Sequence, residues 1–186
     1  MTDIVNVTFP GIELRVADTS DRIVEGIVVP WDETSFLTPD PRGERFRSGS
    51  LTRTLKDTGD RVKLYRNHDH DTAVGRPVQW KSTDAGMWAQ FRIAKTPAGD
   101  AVLNEIHEGM LDAFSVGFRP VRETRGADGA REVIEAKLHE VSITPMGAYD
   151  GARVLAVRTP NTTPAVLPPM PVVNLSPLVL PNRWQT

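Results

Sequence analysis

The segment Asn67-His68-Asp69-His70-Asp71 concentrates imidazoles and carboxylates at the end of a predicted strand, 62–66. Val62 and Leu64 share the side of that strand on which period-two alternation places His68, so we expect its ring at the margin of the core. An imidazole that is partly desolvated there can still reach a substrate. The position therefore favours a general base.

The same segment also allows a metal-binding interpretation. A metal-dependent hydrolase would be centred on His68, Asp69 and His70. Such a centre needs three or four converging ligands, and the other two histidines of the chain are His107 and His139. His107 falls on the polar side of a predicted helix. We therefore expect no metal and retain this hydrolase as the weaker alternative.

The pattern 113–121 predicts a strand with a potential nucleophile on its outer face. Three apolar residues form the inner face: Phe114, Val116 and Phe118. Ser115, Gly117 and Arg119 share the other. A hydroxyl beside a glycine and an arginine suits a nucleophile with space for a substrate backbone, so Gly117 and Arg119 are candidates for substrate or oxyanion contacts. A serine is a nucleophile only with an adjacent base, and the chain has no cysteine to replace it.

A third segment, 132–143, predicts a strand that carries a buried carboxylate. Continued alternation from Leu138 places Glu140 and Ser142 on the apolar side. A carboxylate there is costly unless it is paired, and a histidine that it orients is its natural partner. His139, on the solvated side, is the alternative third member, because a β-bulge would exchange the two residues.

The elements that must position these residues are predominantly strands. Runs rich in β-branched residues and separated by turns predict about seven: 13–16, 22–29, 62–66, 74–81, 87–94, 113–121 and 132–143. The stretch 81–86 predicts a hairpin, since Asp84 and Gly86 supply turn chemistry. The spacing predicts a mainly β (α+β) protein built as a sandwich or a closed antiparallel β-barrel, and the barrel with flanking helices is preferred.

Two flanking helices are predicted. One begins near 48–50 and ends near Gly59. The other has Thr96 as its N-cap and Pro97 as its first helical residue, and Gly109 is a plausible stop. Neither alternates regularly with the strands, which argues against a doubly wound α/β fold.

Length and composition limit the domain organisation and the classes of partner. The chain has 186 residues, 39% of them hydrophobic and 25% charged, and its net charge is −2. We expect one domain, residues 1–158, with no membrane span and no direct nucleic-acid binding. Residues 159–186 hold seven prolines and a single charge, Arg183. They predict an extended arm that docks on a partner or is removed, or else a tail without function.

An ordered set of motifs over residues 10–158 resembles the tailed-phage (Caudovirus) prohead maturation serine protease family. The matching segments are 26–31, 44–46, 48–51, 64–69, 74–77, 84–88, 115–118, 138–144 and 152–154. No single segment is specific, but their order is. The family is similar to the herpesvirus assemblins, whose fold is a closed β-barrel ringed by helices.

The resemblance implies a serine endopeptidase without a cofactor. Its dyad would be Ser115 and His68, and its third member Glu140. Assemblins use a histidine as third member, which keeps His139 as an alternative. The implied substrates are scaffold, the scaffolding segment of the major capsid protein, and the protease itself. The similarity to the assemblins suggests a homodimer.

The implied location is the assembling prohead in the host cytoplasm. The protease would then be absent from the mature virion or truncated in it. A non-catalytic capsid-assembly module with the same barrel is the alternative function.

Overall fold

The computed structural model describes residues 8–9, 12–13 and 22–158. Its strands are β1 Thr8–Phe9, β2 Ile12–Glu13, β3 Ile23–Pro30, β4 Glu44–Phe46, β5 Lys63–Arg66, β6 Ala73–Ser82, β7 Gly86–Ile93, β8 Ala113–Arg125, β9 Arg131–Thr144 and β10 Val154–Arg158. The helices are α1 Thr52–Thr58, α2 Pro97–His107 and a 3-10 turn, Gly59–Arg61. The arm 159–186 and most of the predicted strand 13–16 lie outside the described residues.

Eight strands form one curled sheet in the order β10-β3-β7-β6-β5-β9-β4, with β8 on the other edge of β9. The longest strand, β9, organises the sheet. It pairs with β8 along its length, and its other edge is shared by β4 near its start and β5 near its end. Its C-terminal half thus lies between β8 and the strand that leads to His68.

The sheet is open and mixed, so the prediction of a closed antiparallel barrel is wrong. Both β4 and β5 run parallel to β9. Among the described residues, the strands β8 and β10 share one isolated bridge, Ala113↔Arg153. The two strands diverge beyond it because β8 follows β9 while β10 follows β3. The sheet therefore curls like part of a barrel and stops short of closure.

Local sequence signals explain the helices. In α2 the Thr96 side chain accepts a hydrogen bond from the Gly99 amide at 3.2 Å, and Pro97 opens the first turn. Gly109 follows the helix end with φ of +70°. In α1, Leu51 stands at the N-cap and Gly59 at the C-cap. Both helices therefore lie where the sequence predicts them.

The core lies on the concave side of the sheet. It contains residues from most strands and from α2, with Phe46, Phe91 and Phe114 among the largest fully buried side chains. The hairpin predicted at 81–86 joins β6 to β7, closed by the Thr83 N–H bond to the Gly86 carbonyl at 2.9 Å. Among the described residues, none of the helices has the length and hydropathy that crossing a membrane requires.

Candidate active site

His68 lies just beyond β5, in a turn that the strand pattern does not predict. Asn67 and His68 have positive φ angles of 51° and 58°, so the alternation of β5 ends before the histidine. The expectation that His68 shares the side of Leu64 is therefore wrong. Leu64 is fully buried in the core, whereas the His68 side chain is 43% exposed on the opposite face of the sheet.

Two contacts fix His68 against β9. Its ring nitrogen Nδ1 lies 2.7 Å from Glu140 Oε1, and its backbone N–H donates to the Ser142 hydroxyl at 3.0 Å. An ionised carboxylate only accepts hydrogen bonds, so this contact places the proton on Nδ1. The other ring nitrogen, Nε2, is thereby left able to accept a proton from a hydroxyl.

A β-bulge at His139 decides which face Glu140 occupies. Phe118 pairs with Leu138, yet the preceding Gly117 pairs with Glu140, so His139 is the extra residue on β9. Leu138 consequently points to the core and Glu140 to the opposite face. The expectation that both share the apolar side is wrong, although Glu140 is buried as predicted, with 3% of its surface exposed.

Glu140 is buried by its polar partners rather than by the core. Its second oxygen, Oε2, accepts from the Ser142 hydroxyl at 2.9 Å, while Oε1 contacts His68. Ser142 therefore supports the carboxylate and the histidine backbone together. The sequence pattern places Ser142 on the face of Glu140 and allows a hydrogen bond between them, although it favours a packed strand residue; the structure shows the hydrogen bond. The strand alternation, 140 to 142, was the available signal.

Gly117 makes room for this carboxylate. A Cβ atom on residue 117 would lie 2.6 Å from Glu140 Oε1, closer than real Cβ atoms approach, and 3.0 Å from its Cγ, so the carboxylate would have to shift. Glu140 therefore packs over the bare backbone of the neighbouring strand. The structure thus assigns Gly117 a role in positioning that the sequence pattern did not indicate. Contact of Gly117 with substrate stays a prediction.

Ser115 lies two residues before Gly117 on the same face of β8. Its Cα partner across the ladder is Ser142, so the two Cβ atoms are expected about 5 Å apart. Within the described part of the chain no hydrogen bond joins the Ser115 hydroxyl to His68. Ser115 is half-buried and borders a cleft of about 250 Å³, whose lining includes Leu37, Pro39 and Phe118.

The remaining predicted residues lie further from this contact. His139 is exposed, and Arg119 is exposed opposite Lys137. The ring of His70 packs against that of Tyr65 in a tilted arrangement, with a centroid distance of 5.3 Å. In residues 8–9, 12–13 and 22–158, no group of three or more His, Asp or Glu is arranged to hold a metal ion.

A second buried carboxylate lies in the cleft that Ser115 borders. Glu44 forms an ion pair with Arg131 and accepts a hydrogen bond from the Tyr149 hydroxyl at 3.0 Å. Burial, together with the charge of Glu44, raises the pKa of Tyr149 far above its usual value. Tyr149 therefore remains a donor, and both oxygens of Glu44 are satisfied. The sequence pattern did not predict this network, because its three members come from distant segments.

No significant match to a curated protein was found. Among solved structures, the bacteriophage T4 capsid assembly protease superposes with a TM-score of 0.51 at 16% identity, over 77% of this chain and 90% of that one. This likeness shows a shared fold.

Two herpesvirus proteases are more distant. The KSHV protease, solved with a hexapeptide phosphonate inhibitor, has a TM-score of 0.46 at 14% identity, over 72% of this chain and 63% of its own. The varicella-zoster virus protease has a TM-score of 0.42 at 13% identity, over 71% of this chain and 62% of its own. The chain thus spans less than two thirds of either protein.

A family match covers most of the chain, from residue 11 to residue 164, and includes every residue of the site described above. It confirms the resemblance drawn from the ordered motifs. The chain belongs to the Caudovirus prohead serine protease family.

Proposed function

We propose that the chain is a serine endopeptidase that cleaves scaffold, or the scaffolding segment of the capsid protein, inside the assembling prohead. Ser115 is the nucleophile, His68 the general base and Glu140 the residue that orients the base. The observation that carries the proposal is the 2.7 Å contact between His68 Nδ1 and Glu140 Oε1 on the face that also carries Ser115.

The mechanism follows from the state of the imidazole. With Nδ1 protonated and held by Glu140, Nε2 accepts the Ser115 proton as Oγ attacks the scissile carbonyl carbon. The imidazolium then gives this proton to the leaving amine, and an acyl-enzyme remains. Water attacks the ester with His68 again as base, which releases the new carboxyl end and restores the serine. Glu140 stabilises the imidazolium in both halves of the cycle.

The separation between Ser115 and His68 fits this mechanism if substrate brings them together. Catalytic hydrogen bonds are often long before a substrate binds and tighten in the complex. The exposed face of His68 leaves room for a peptide backbone beside Nε2. Oxyanion stabilisation by the Gly117 amide or the Arg119 side chain is part of the proposal, as is a homodimer.

The decisive experiment compares Ser115→Ala with the wild-type chain, co-expressed with the capsid and scaffold proteins. Wild-type proheads should lose full-length scaffold on a gel, and the variant should retain it, because a serine–histidine unit loses orders of magnitude in rate when either member is removed. Ser82→Ala is a matched control, since Ser82 is exposed at the end of β6. Normal processing by Ser115→Ala would refute the proposal.

A reactive-serine probe separates the enzyme from a non-catalytic assembly module. A fluorophosphonate should label wild-type protein at Ser115, and His68→Ala should abolish the label because the serine then lacks its base. No labelling of purified wild-type protein, together with unprocessed scaffold, would favour the module.

Self-cleavage extends the proposal to residues 159–186. The proline-rich arm is the proposed site of removal. Intact-mass measurement of protease from mature particles should then show loss of terminal sequence. Retention of the full 20.5 kDa chain would contradict this part of the proposal.

A further inference from the structure

A second cleft, of about 400 Å³, lies on the other side of β5 from Glu140 and is rich in cations. The positively charged residues in its lining are Arg22, Lys63, Arg76, Arg92 and Lys95. We name this feature the basic cleft. Its apolar lining includes Ala73 and Ala94. The chain as a whole has a net charge of −2, so this local excess of positive charge is not a consequence of composition.

Internal carboxylates neutralise the basic cleft only in part. Arg22 pairs with Asp100 at 2.6 Å and also donates to the carbonyl of Ala94. Lys63, Arg76 and Lys95 have no carboxylate partner within the described residues. Arg76 and Lys95 are exposed, so the charges of both are accessible to a ligand in the cleft.

Strand register connects the basic cleft to the candidate active site. Lys63 on β5 is the Cα partner of Glu140 on β9, and Glu140 is the partner of Gly117 on β8. Paired residues share a face, so Lys63 lies on the face that carries the site. Beyond β5, Arg76 on β6 pairs with Arg92 on β7. The cations therefore extend away from the site across neighbouring strands.

We propose that the basic cleft binds an acidic segment of the protein substrate, several residues away from the bond that is cleaved. The inference rests on the proposed endopeptidase function. Three strand spacings separate β8, which carries Ser115, from β6, which carries Arg76, or about 14 Å. An extended peptide covers that distance in about four residues, so the acidic residues lie about four or more positions from the scissile bond.

The shape of the basic cleft favours a peptide over a nucleic acid. A protein that depends on phosphate contacts presents a basic stripe along a surface, and its domain is strongly basic overall. Here the cations line one concave site with apolar residues between them. Carboxylate side chains on a peptide would pair with the cations, while its methylene groups would contact Ala73 and Ala94.

Binding can be measured without catalysis by using the full chain with Ser115→Ala. A labelled oligoglutamate peptide is titrated and followed by fluorescence anisotropy, with oligoglutamine of the same length as the neutral control. We expect oligoglutamate to bind and added salt to weaken it. Adding Arg76→Gln and Lys95→Gln should weaken binding about tenfold. Lys81→Gln and Lys56→Gln, exposed lysines outside the basic cleft, should leave it unchanged.

Competitors decide the class of ligand. If an oligothymidylate of equal charge or inorganic phosphate displaces oligoglutamate at equal concentration, the peptide assignment is overturned. It is also overturned if the double variant binds like the Lys81→Gln protein. Weak displacement by both competitors supports it.

Cleavage provides the second readout and separates the two proposals. The scaffold should be cut more slowly by the Arg76→Gln/Lys95→Gln chain, through a higher KM with kcat retained, because the basic cleft lies outside the reacting groups. Absence of fluorophosphonate labelling in the wild-type chain would refute the endopeptidase function. Binding of oligoglutamate to the basic cleft is measured separately and does not depend on that result. If the variant and the wild type cleave scaffold with the same KM, the docking role of the basic cleft is refuted and the endopeptidase function is not affected.

Discussion

Glu140 and Glu44 are both buried, yet their partners differ in one respect. Glu44 pairs with Arg131, which is always charged, and with the Tyr149 hydroxyl. Glu140 contacts the imidazole of His68, which is charged only after it takes up a proton. The first carboxylate therefore has a permanent counter-ion, and the second has a conditional one.

This difference separates a structural carboxylate from one that is suited to chemistry. The ion pair between Glu44 on β4 and Arg131 on β9 is fully charged in the resting protein, so it can contribute to holding β4 against β9. Around Glu140 the interaction becomes strongest when positive charge appears on His68, which happens during proton transfer from a nucleophile. His68 is also partly exposed, whereas both partners of Glu44 are largely covered.

The largest expected effect is on activity, from Glu140→Gln. The amide keeps the shape of the carboxylate but lacks its charge and can favour the wrong tautomer of His68, so kcat should fall by about 10⁴-fold. Thermal unfolding should change little. The measurement is single-turnover cleavage of scaffold by the purified variant. Equal activity in Glu140→Gln and wild type would show that Glu140 does not assist the chemistry and so does not differ from Glu44 in this respect.

Glu44→Gln should act on stability instead. Removing the buried partner leaves Arg131 only its longer ion pair with the more exposed Glu123, at 3.5 Å, which costs up to about 3–5 kcal/mol in the free energy of unfolding. Urea denaturation measures this loss, with the exposed Glu108→Gln as the control. A variant as stable as wild type but inactive would show that Glu44 belongs to the catalytic machinery.

Gly117→Ala should produce the smallest of the three effects, and on activity. The added methyl group displaces Glu140 Oε1 from His68, and a misplacement of about 1 Å can cost about 10²-fold in rate. Gly59→Ala is the control, because a Cβ there meets no atom closer than 3.4 Å. Cleavage at the wild-type rate by Gly117→Ala would show that the carboxylate tolerates displacement.

Sequence reasoning predicted a histidine partner for Glu140 on chemical grounds, and the family resemblance identified that histidine as His68. A buried carboxylate requires a partner, and the histidine after 62–66 was available. The faces assigned to both residues were wrong, since a left-handed turn at Asn67 and a bulge at His139 interrupt the alternation. Turns and bulges depend on tertiary pairing, which a period-two pattern does not contain. The catalytic roles of Ser115, His68 and Glu140 stay predictions.

At the level of the fold, the longer elements were predictable and the short ones were not. Six of the seven predicted strands correspond to β3 and β5–β9, and both helices are present. The strands β4 and β10, of three and five residues, carry weak periodicity and were missed. Barrel closure was predicted from the number and spacing of the strands and from the resemblance to a family related to the assemblins, whereas closure depends on whether β8 and β10 pair beyond the single bridge Ala113↔Arg153.

The bulge at His139 makes the length of β9 a determinant of the site. Leu138 and Val141 both face the core although three positions separate them, because one surplus residue lies within that interval. Deleting residue 139 would restore strict alternation. Either the hydrophobic residues on one side of the deletion or the carboxylate that meets His68 would then turn to the wrong face. Strand β9 should therefore tolerate many substitutions at position 139 and no deletion there.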